Sequence, residues 1–243
     1  MDTVLILGAT SDIAQALARR FAQASCPLQL AARDPAQLEV LARDLEIRHQ
    51  VSVQTIGFDA TRFESHAAFY DQLNPSPAVV ITVFGYLGDQ AKGEKDWAEA
   101  HAILDTNYTG AVSILNVVAE DFAQKKDGTI VGVSSVAGDR GRGSNYLYGS
   151  AKAGFSAYLS GLRNRMHAFG VTVITVKPGF VDTSMTEDLD LPPLLTAKPS
   201  AVADDVFRAV KSKKDVVYTK WFWRLIMTVI TLLPEKLFKR LKL

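Results

Sequence analysis

The chain has 243 residues, of which 48% are hydrophobic, with 27 lysines and arginines against 26 aspartates and glutamates. A net charge of +1 excludes a global field directed at nucleic acid, so any electrostatic recognition must be local. The single cysteine, Cys26, excludes an internal disulfide and indicates a reducing, cytoplasmic compartment. The apolar run at 4–7 is too short for a signal peptide.

Short apolar runs alternate along the chain with stretches of helical period. Strands are predicted at 3–8, 28–32, 51–58, 78–84, 128–134, 171–177 and 215–218. Helices are predicted at 12–25, 35–46, 62–73, 95–106, 107–125, 146–169 and 199–212. This alternation is typical of βα units around a parallel sheet, and strands that are apolar at nearly every position indicate helices on both faces. We therefore predict a single α/β domain over residues 1–220, with a doubly wound, seven-stranded parallel sheet.

The first predicted strand ends in a turn of small residues, Gly8-Ala9-Thr10-Ser11-Asp12-Ile13-Ala14, at the start of a helix. A pyrophosphate would meet the N-terminus of that helix, and the candidate cofactor-binding residues are Gly8, Thr10, Ser11, Asp12 and Ile13. Asp12 stands where close backbone approach usually requires glycine. Because its carboxylate would repel a pyrophosphate, we expect Asp12 to point outward and to interact with the helix N-terminus. An ordinary βα turn is the alternative reading.

Charged residues end the second and third strands. An acidic residue at the end of the second strand would bond a ribose 2′-hydroxyl, whereas an arginine accommodates a 2′-phosphate. Arg33 therefore favours NADPH, although Asp34 beside it leaves NADH possible, and Arg33 could also be a solvated loop residue. Asp59 could accept a hydrogen bond from an adenine amino group or cap the following helix.

Tyr148 and Lys152 lie one helical turn apart in Tyr148-Gly149-Ser150-Ala151-Lys152. On one helical face, an ammonium group can lower the pKa of a phenol and make it a working acid or base, although the spacing also fits an exposed pair. Ser135 lies thirteen residues earlier, at the carboxyl end of the fifth strand, where open α/β sheets bind ligands. The turn at 178–183 follows the sixth strand at the same edge. Asn107 places a polar side chain within a predicted helix, and the helical pattern alone does not explain it.

Together these residues resemble the classical short-chain dehydrogenase/reductase family, over residues 3–218. The resemblance implies a Rossmann-like domain that binds a nicotinamide cofactor. It implies that Tyr148 donates a proton to the developing alkoxide and that Lys152 lowers its pKa and holds the nicotinamide ribose. Ser135 would bond the substrate carbonyl, and Asn107 would anchor a proton relay through Lys152 and water. Positioned donors of this kind stabilise the charge that hydride transfer places on oxygen.

The resemblance also assigns further cofactor contacts and an assembly. The backbone of Val181 and the hydroxyl of Thr183 would bond the carboxamide, with Gly85, Pro178 and Gly179 nearby. A homodimer or homotetramer would form through the helices at 107–125 and 146–169. The family's Asn-Asn-Ala-Gly stretch is replaced by Thr82-Val83-Phe84-Gly85, which predicts a different support for the central sheet.

Several stretches are similar to one narrower branch, the decaprenylphosphoryl-2-keto-β-D-erythro-pentose reductases: 84–89, 107–113, 134–140 and the tail. This branch works with a flavin-dependent oxidase to supply an arabinose donor for the cell envelope. The resemblance implies a 2-keto-pentose linked to a polyprenyl phosphate as substrate, and the oxidase as partner. Two alternatives remain, a soluble reductase of an acyl or small-molecule ketone and a non-catalytic, nucleotide-sensing membrane scaffold.

Two segments are candidates for contact with the substrate. Residues 182–198 lack clear period, which predicts a substrate loop whose apolar half, with Leu194, faces the substrate. Arg140 and Arg142 follow the serine and could meet a substrate phosphate or lie in a solvated loop. We identify no metal-binding motif.

Residues 221–243 form an amphipathic C-terminal appendage. Its apolar part, 221–233, is shorter than the ~20 residues needed to cross a bilayer. Leu237, Phe238 and Leu241 share one helical face, and the surrounding residues are basic: Lys236, Lys239, Arg240 and Lys242. This pattern suits peripheral contact with an anionic membrane. Packing of the appendage against the domain or a second subunit is the alternative.

Overall fold

The computed structural model describes residues 2–187 and 190–241. Its centre is a seven-stranded sheet in the order β3-β2-β1-β4-β5-β6-β7, in which all neighbouring strands are parallel. The strands are β1 Val4–Leu7, β2 Leu28–Ala32, β3 Val53–Gly57, β4 Val79–Thr82, β5 Thr129–Val133, β6 Thr172–Pro178 and β7 Val216–Thr219. Each lies within one or two residues of its predicted position.

The α-helices are α1 Asp12–Ala22, α2 Glu39–His49, α3 His66–Asp71, α4 Gln90–Gly93, α5 Trp97–Leu104, α6 Gly110–Lys125, α7 Tyr146–His167, α8 Pro199–Ser212, α9 Phe222–Leu232 and α10 Glu235–Phe238. The predicted helix at 35–46 is instead a 3₁₀ turn, Pro35–Leu38, followed by α2. The turn forms because the Asp34 carboxylate accepts a hydrogen bond from the Ala36 amide. Helix α4 was not predicted, since four residues are too few for a periodic signal.

Helices cover both faces of the sheet. Successive residues of β1 point to opposite faces, so that Val4 and Ile6 pack under α1, α2 and α8, whereas Leu5 and Leu7 pack under α3, α6 and α7. Both layers consist of fully buried aliphatic and aromatic side chains. The prediction of one doubly wound, Rossmann-like domain is therefore confirmed.

Thr82, which stands where the family has an asparagine, bonds to the neighbouring strand of the central sheet. The Thr82 hydroxyl at the end of β4 donates a hydrogen bond to the Val131 carbonyl of β5, over 3.3 Å. Thr82 is 2% exposed, so this bond satisfies a buried hydroxyl.

The C-terminal segment folds back onto the domain. Trp223 and Met227 of α9 are buried in a small apolar cluster with Val136, which follows β5. None of the helices within 2–187 and 190–241 is long and apolar enough to cross a membrane. Residues 188–189 of the predicted substrate loop, and Lys242 and Leu243 of the tail, lie outside the described residues.

Candidate active site

The sheet changes its winding direction between β1 and β4, and such a switch point opens a crevice at the carboxyl ends of the strands. Here the crevice is a cleft of about 680 Å³. The predicted cofactor residues that line it are Gly8, Thr10, Ser11, Arg33, Asp59 and Gly85. Its size and its place beside the N-terminus of α1 fit a dinucleotide.

Gly8 is required by the backbone at the end of β1. Its φ is +89°, a conformation that side chains disfavour, and a Cβ atom there would lie 2.6 Å from the Phe84 amide nitrogen. After it, the Ser11 hydroxyl caps α1 by accepting a hydrogen bond from the Ala14 amide. Ile13 packs against the apolar core and fixes the start of α1.

Asp12 differs from its expected position. Its carboxylate does not bond the N-terminus of α1, because Ser11 already caps that helix. Instead, Asp12 accepts hydrogen bonds from the Ser184 amide at 2.8 Å and from the Ser184 hydroxyl at 2.9 Å. The two donors from Ser184 offset part of the negative charge of Asp12. That charge would otherwise lie unpaired beside the cofactor turn.

The charges at the ends of β2 and β3 separate into two groups. Asp34 caps the turn after β2 and also accepts from the Gln37 amide group, whereas Arg33 lines the cleft. Asp59 caps its own turn by accepting from the Thr61 amide and hydroxyl. Burial raises the pKa of Asp59, but these bonds and the nearby Arg33 outweigh burial and lower the pKa overall. Asp59 therefore closes a local turn and lines the cleft, whereas the 3₁₀ turn that follows has Arg62 at its N-cap and no side-chain cap.

Ser135, Tyr148 and Lys152 meet at the end of β5. Tyr148 lies in the first turn of α7, and the Ser135 side chain is near enough to lower the pKa of its phenol. The Lys152 ammonium lies 5.6 Å from the centre of the Tyr148 ring and donates a hydrogen bond to the Val133 carbonyl over 3.2 Å. The predicted triad is thus brought together by one strand end and one helix.

Burial dominates the acidity of this group. Burial raises the pKa of Tyr148 to about 12, and the Ser135 side chain opposes that rise. Burial also lowers the pKa of Lys152 to about 8. The expected lowering of the Tyr148 pKa by Lys152 is not found: burial raises this pKa, and only Ser135 opposes the rise. The phenol is therefore protonated at neutral pH.

Asn107 explains the polar break within its helix. The chain passes from α5 to α6 through a π-helical turn, Asp105–Thr109, in which the Gly110 amide donates to the Asp105 carbonyl. The Asn107 amide group donates to the Ile103 carbonyl at 2.8 Å and to the Tyr86 carbonyl at 2.6 Å. Its oxygen accepts from the Tyr86 amide at 3.2 Å. Asn107 thus clamps the segment after β4 onto the helix.

Gly85 brings this clamp close to Lys152. A Cβ at position 85 would lie 2.9 Å from the Asn107 side-chain oxygen and 3.5 Å from the Lys152 ammonium nitrogen. Both polar groups therefore reach the backbone after β4, at the inner wall of the cleft.

The turn after β6 has a structural neighbour that the sequence did not reveal. Pro178 ends β6, and a Cβ at Gly179 would lie 2.0 Å from the Trp223 indole. Val181 forms a β-bridge with Ala197, which joins the two ends of the substrate loop. The Thr183 hydroxyl lies 3.3 Å from the Thr186 hydroxyl in a short 3₁₀ turn, Ser184–Thr186.

Two of the candidate substrate residues contact the tail, and the third is exposed. Arg140 donates to the Ile230, Thr231 and Leu233 carbonyls at the end of α9, pairs with Glu235 and stacks on Phe238. Arg142 lies under α9, where its guanidinium is 3.5 Å from the Met227 sulfur and burial lowers its pKa. Leu194 is 85% exposed. In this structure Arg140 is held by the tail, whereas the Arg142 Nε is buried and has no hydrogen-bond partner among the described residues.

Three supporting residues escaped the sequence analysis. The Ser134 hydroxyl donates to the Lys152 carbonyl at 3.0 Å, and a Cβ at Gly138 would collide with the Lys152 backbone at 2.7 Å. The turn after β5 is therefore seated directly on α7. Glu99 accepts from the Tyr86 hydroxyl and the Asp89 amide, which holds the segment after Gly85. A tightly packed glycine and a buried glutamate leave no pattern in the sequence that distinguishes them.

The comparisons with known proteins agree with this fold. A short chain dehydrogenase family model matches residues 2–192. An uncharacterized oxidoreductase of Mycobacterium tuberculosis is 39% identical over 98% of this chain and 96% of its own length. Sulfoacetaldehyde reductase 2 of Chromohalobacter salexigens is 33% identical over 76% of this chain and 75% of its own.

Solved structures share the fold. A short-chain dehydrogenase from Sphingobium yanoikuyae in complex with NADPH superposes with a TM-score of 0.83 at 22% identity, covering 97% of each chain. Among residues 2–187 and 190–241, no three histidine, cysteine, aspartate or glutamate side chains are grouped to hold a metal ion. The chain belongs to the short-chain dehydrogenase family and is an NAD(P)-dependent oxidoreductase.

Proposed function

We propose that the protein is a ketoreductase in which Tyr148 gives its proton to the carbonyl oxygen of a ketone. The observation that carries this proposal is the position of Ser135, Tyr148 and Lys152 at the end of β5, with the Lys152 ammonium 5.6 Å from the centre of the Tyr148 ring. In reduction the carbonyl oxygen must gain a proton, and a phenol in this position can donate it.

The nicotinamide, when bound, supplies the hydride to the carbonyl carbon. The Ser135 and Tyr148 hydroxyls both donate to the carbonyl oxygen, and the phenol proton moves to that oxygen as it gains negative charge. Lys152 would hold the nicotinamide ribose beside the phenolate that remains. Asn107 fixes the backbone beside Lys152 and anchors the relay of water through which the phenolate regains a proton.

The cofactor would extend along the cleft from β2 to β6. The α1 turn, with Gly8, Thr10, Ser11 and Ile13, would hold the pyrophosphate, and Asp59 would meet the adenine end. Pro178, Gly179, Val181 and Thr183 would hold the carboxamide end beside Gly85. NADPH is favoured because Arg33 faces the cleft while the neighbouring Asp34 is committed to its cap. NADH remains the second cofactor to test.

For the substrate, we propose a 2-keto-pentose linked to a polyprenyl phosphate, formed by a flavin-dependent oxidase partner. The support is the resemblance to that branch of the family, together with the apolar tail beside the site. The alternative, a soluble reductase of a small carbonyl compound, is favoured by the similarity to a sulfoacetaldehyde reductase. A non-catalytic, nucleotide-sensing membrane scaffold is the third possibility, although it has no use for the spacing of Asn107, Ser135, Tyr148 and Lys152.

The test is to supply polyprenyl-phosphoryl 2-keto-pentose with NADPH or NADH and to follow the nicotinamide absorbance. Oxidation with this ketone, at a rate above that with sulfoacetaldehyde, supports the lipid-linked substrate. Turnover of only the small carbonyl compounds favours the soluble reductase. No turnover of any of them, despite cofactor binding, favours the scaffold.

The outer face of α9 suits a peripheral position at the cytoplasmic side of a membrane. Trp221, Leu225, Val229 and Leu232 are 57–76% exposed, and the last three recur at helical spacing on one face. Lys236, Lys239 and Arg240 of the adjoining segment are also exposed. An apolar stripe bordered by basic side chains is complementary to anionic lipid. We therefore propose that this surface contacts an anionic membrane.

Vesicle flotation of the full chain tests the membrane contact. We expect binding to vesicles that contain phosphatidylglycerol, weaker binding at high salt, and loss of binding in the variant L225S/V229S. The control V40S/I47S changes two apolar residues of α2 that are 82% and 80% exposed and should bind as the parent does. Self-association of the chain through α9 without vesicle binding would refute the proposal.

A homodimer or homotetramer through α6 and α7 is proposed from the family resemblance. A Cβ at Gly161 of α7 would meet no atom within 4 Å, so this part of the helix has room for a neighbouring chain. Sedimentation of the purified chain would show a single monomeric species if this assembly does not form.

A further inference from the structure

Two segments that are 172 residues apart in the chain meet at one edge of the cleft. Asp12 is the first residue of α1, directly after the turn that follows β1, and Ser184 begins the 3₁₀ turn after β6. The Asp12 carboxylate oxygen accepts from both the amide and the hydroxyl of Ser184, at 2.8 and 2.9 Å. We refer to this pair as the clasp. Hydrogen bonds to a charged acceptor are the stronger kind, and here one carboxylate receives two.

The turn that the clasp holds is a small rigid unit. The Thr186 amide donates to the Thr183 carbonyl at 2.9 Å, and the Thr186 hydroxyl donates to the Val181 carbonyl at 2.6 Å. The same turn is thus fixed to the end of β6 on one side and to Asp12 on the other. Opening the substrate loop at this end requires the bonds to Asp12 to break.

The clasped turn also carries a side chain into the cleft. Met185 follows Ser184 directly and lines the same cleft as Gly8, Arg33 and Gly85. Its terminal methyl lies 3.9 Å from the position that a Cβ of residue 85 would occupy, next to the Lys152 ammonium. The clasp therefore fixes Met185 across the path between the α1 turn and the Lys152 end of the cleft.

We infer that Asp12 is a positioning residue that latches the start of the substrate loop over the bound nicotinamide cofactor and slows its release. This inference rests on the proposed function, because it requires the cofactor to lie in the cleft. This role explains why a carboxylate stands where close backbone approach usually requires glycine. The carboxylate binds Ser184 on the opposite side of the cleft. Ser184 supplies both donors, so the clasp depends on Asp12 and Ser184 together.

The clasp predicts a specific kinetic result. In Asp12→Ala and in Ser184→Ala, NADPH should dissociate about tenfold and about threefold faster, since an alanine at 184 retains the amide donor. The double variant should release NADPH no faster than Asp12→Ala, because the two residues act as a unit. Ser184→Thr retains the hydroxyl and should restore the parent rate. Stopped-flow displacement of NADPH measures all four rates without any ketone.

A control variant and three opposing results complete the test of the clasp. Asp205→Ala removes a carboxylate of α8 that pairs with Arg208 and should leave the release rate unchanged. If Asp12 acts on the cofactor only by repulsion, Asp12→Ala will slow release and Ser184→Ala will change nothing, which overturns the clasp. Equal release rates in all variants, with unchanged unfolding midpoints, overturn it as well. A parent chain that binds neither NADPH nor NADH would contradict the proposed function itself.

Discussion

The Trp223 indole lies directly against Gly179, so that a Cβ atom at position 179 would be only 2.0 Å from the ring. Gly179 belongs to the turn after β6, and Trp223 to the first turn of α9. The Trp223 indole nitrogen also donates to the Leu195 carbonyl over 3.2 Å, at the end of the substrate loop. One aromatic side chain therefore connects the tail, the loop and the strand end that borders the active site.

Gly179→Ala should displace α9 and destabilise the protein. The added methyl group cannot fit beside a buried indole, and overpacking of this kind costs about 1–3 kcal/mol. Chemical denaturation should show a lower free energy of unfolding, and ketone reduction should fall because the turn moves. Gly143→Ala is the matched control, since a Cβ there would meet no atom within 4 Å. Equal stability of the two variants would contradict the observed packing.

The contact also shows where sequence reasoning reached its limit. Strand positions and the Ser135, Tyr148 and Lys152 site followed from local patterns, because periodicity and spacing are local properties. The contact of Gly179 with Trp223 joins residues distant in the chain and of unremarkable local pattern. The engagement of Arg140 by the end of α9 is of the same kind. The tail was read as an amphipathic helix, but only the folded chain shows which face is covered.

Tyr148→Phe should abolish reduction while leaving cofactor affinity nearly unchanged. The substitution removes the proposed proton donor but retains the ring, and general acid catalysis contributes about 10²–10⁴-fold. Turnover and NADPH titration would be measured on the same sample. Tyr158→Phe, on the same helix, removes a hydroxyl that bonds Asn116 and should retain activity. Loss of NADPH binding in Tyr148→Phe would refute the proton-donor role.

Lys152→Met should eliminate activity and raise stability at neutral pH. Lys152 is 4% exposed, and burial lowers its pKa from 10.5 to about 8, so keeping it charged opposes folding below pH 8. Methionine fills similar space without charge, and we expect a gain of about 1–3 kcal/mol. In the parent, the folded state binds fewer protons than the unfolded state between pH 8 and 10.5, so its stability rises across that range. The gain from methionine should therefore shrink as pH rises from 8 to 10.5.

Lys177→Met provides the contrast for that experiment. Lys177 pairs with Asp139, whose side chain is 9% exposed. Removing the ammonium leaves a buried carboxylate without its ion-pair partner, which is destabilising. Urea denaturation should move the two lysine variants in opposite directions. If both lysine variants have a lower free energy of unfolding than the parent at pH 7, the buried charge of Lys152 does not destabilise the folded protein.

Arg33→Ala should change cofactor selectivity. If Arg33 bonds the 2′-phosphate, its loss should raise the KM for NADPH by about 10- to 100-fold and leave the KM for NADH nearly unchanged. Arg62→Ala is the control, because Arg62 also lowers the pKa of Asp59 but does not line the 680 Å³ cleft. Equal losses with both cofactors would assign Arg33 to the adenosine rather than to the phosphate.

Glu99→Ala should loosen the segment after Gly85 and destabilise the protein in a pH-dependent way. The hydrogen bond from the Tyr86 hydroxyl, together with those from the Asp89 amide and Lys92, lowers the pKa of Glu99 to about 2. Because the folded pKa lies below the ordinary value of 4.5, the stabilisation is complete above pH 4.5 and is lost as pH falls toward 2. The difference in unfolding free energy between parent and Glu99→Ala should therefore be constant from pH 5 to 7 and decrease below 4.5. Glu94→Ala changes an exposed neighbour that accepts from Gln90 and should show no such decrease. If the Glu99→Ala difference does not vary with pH, the ionised carboxylate is not what holds this segment.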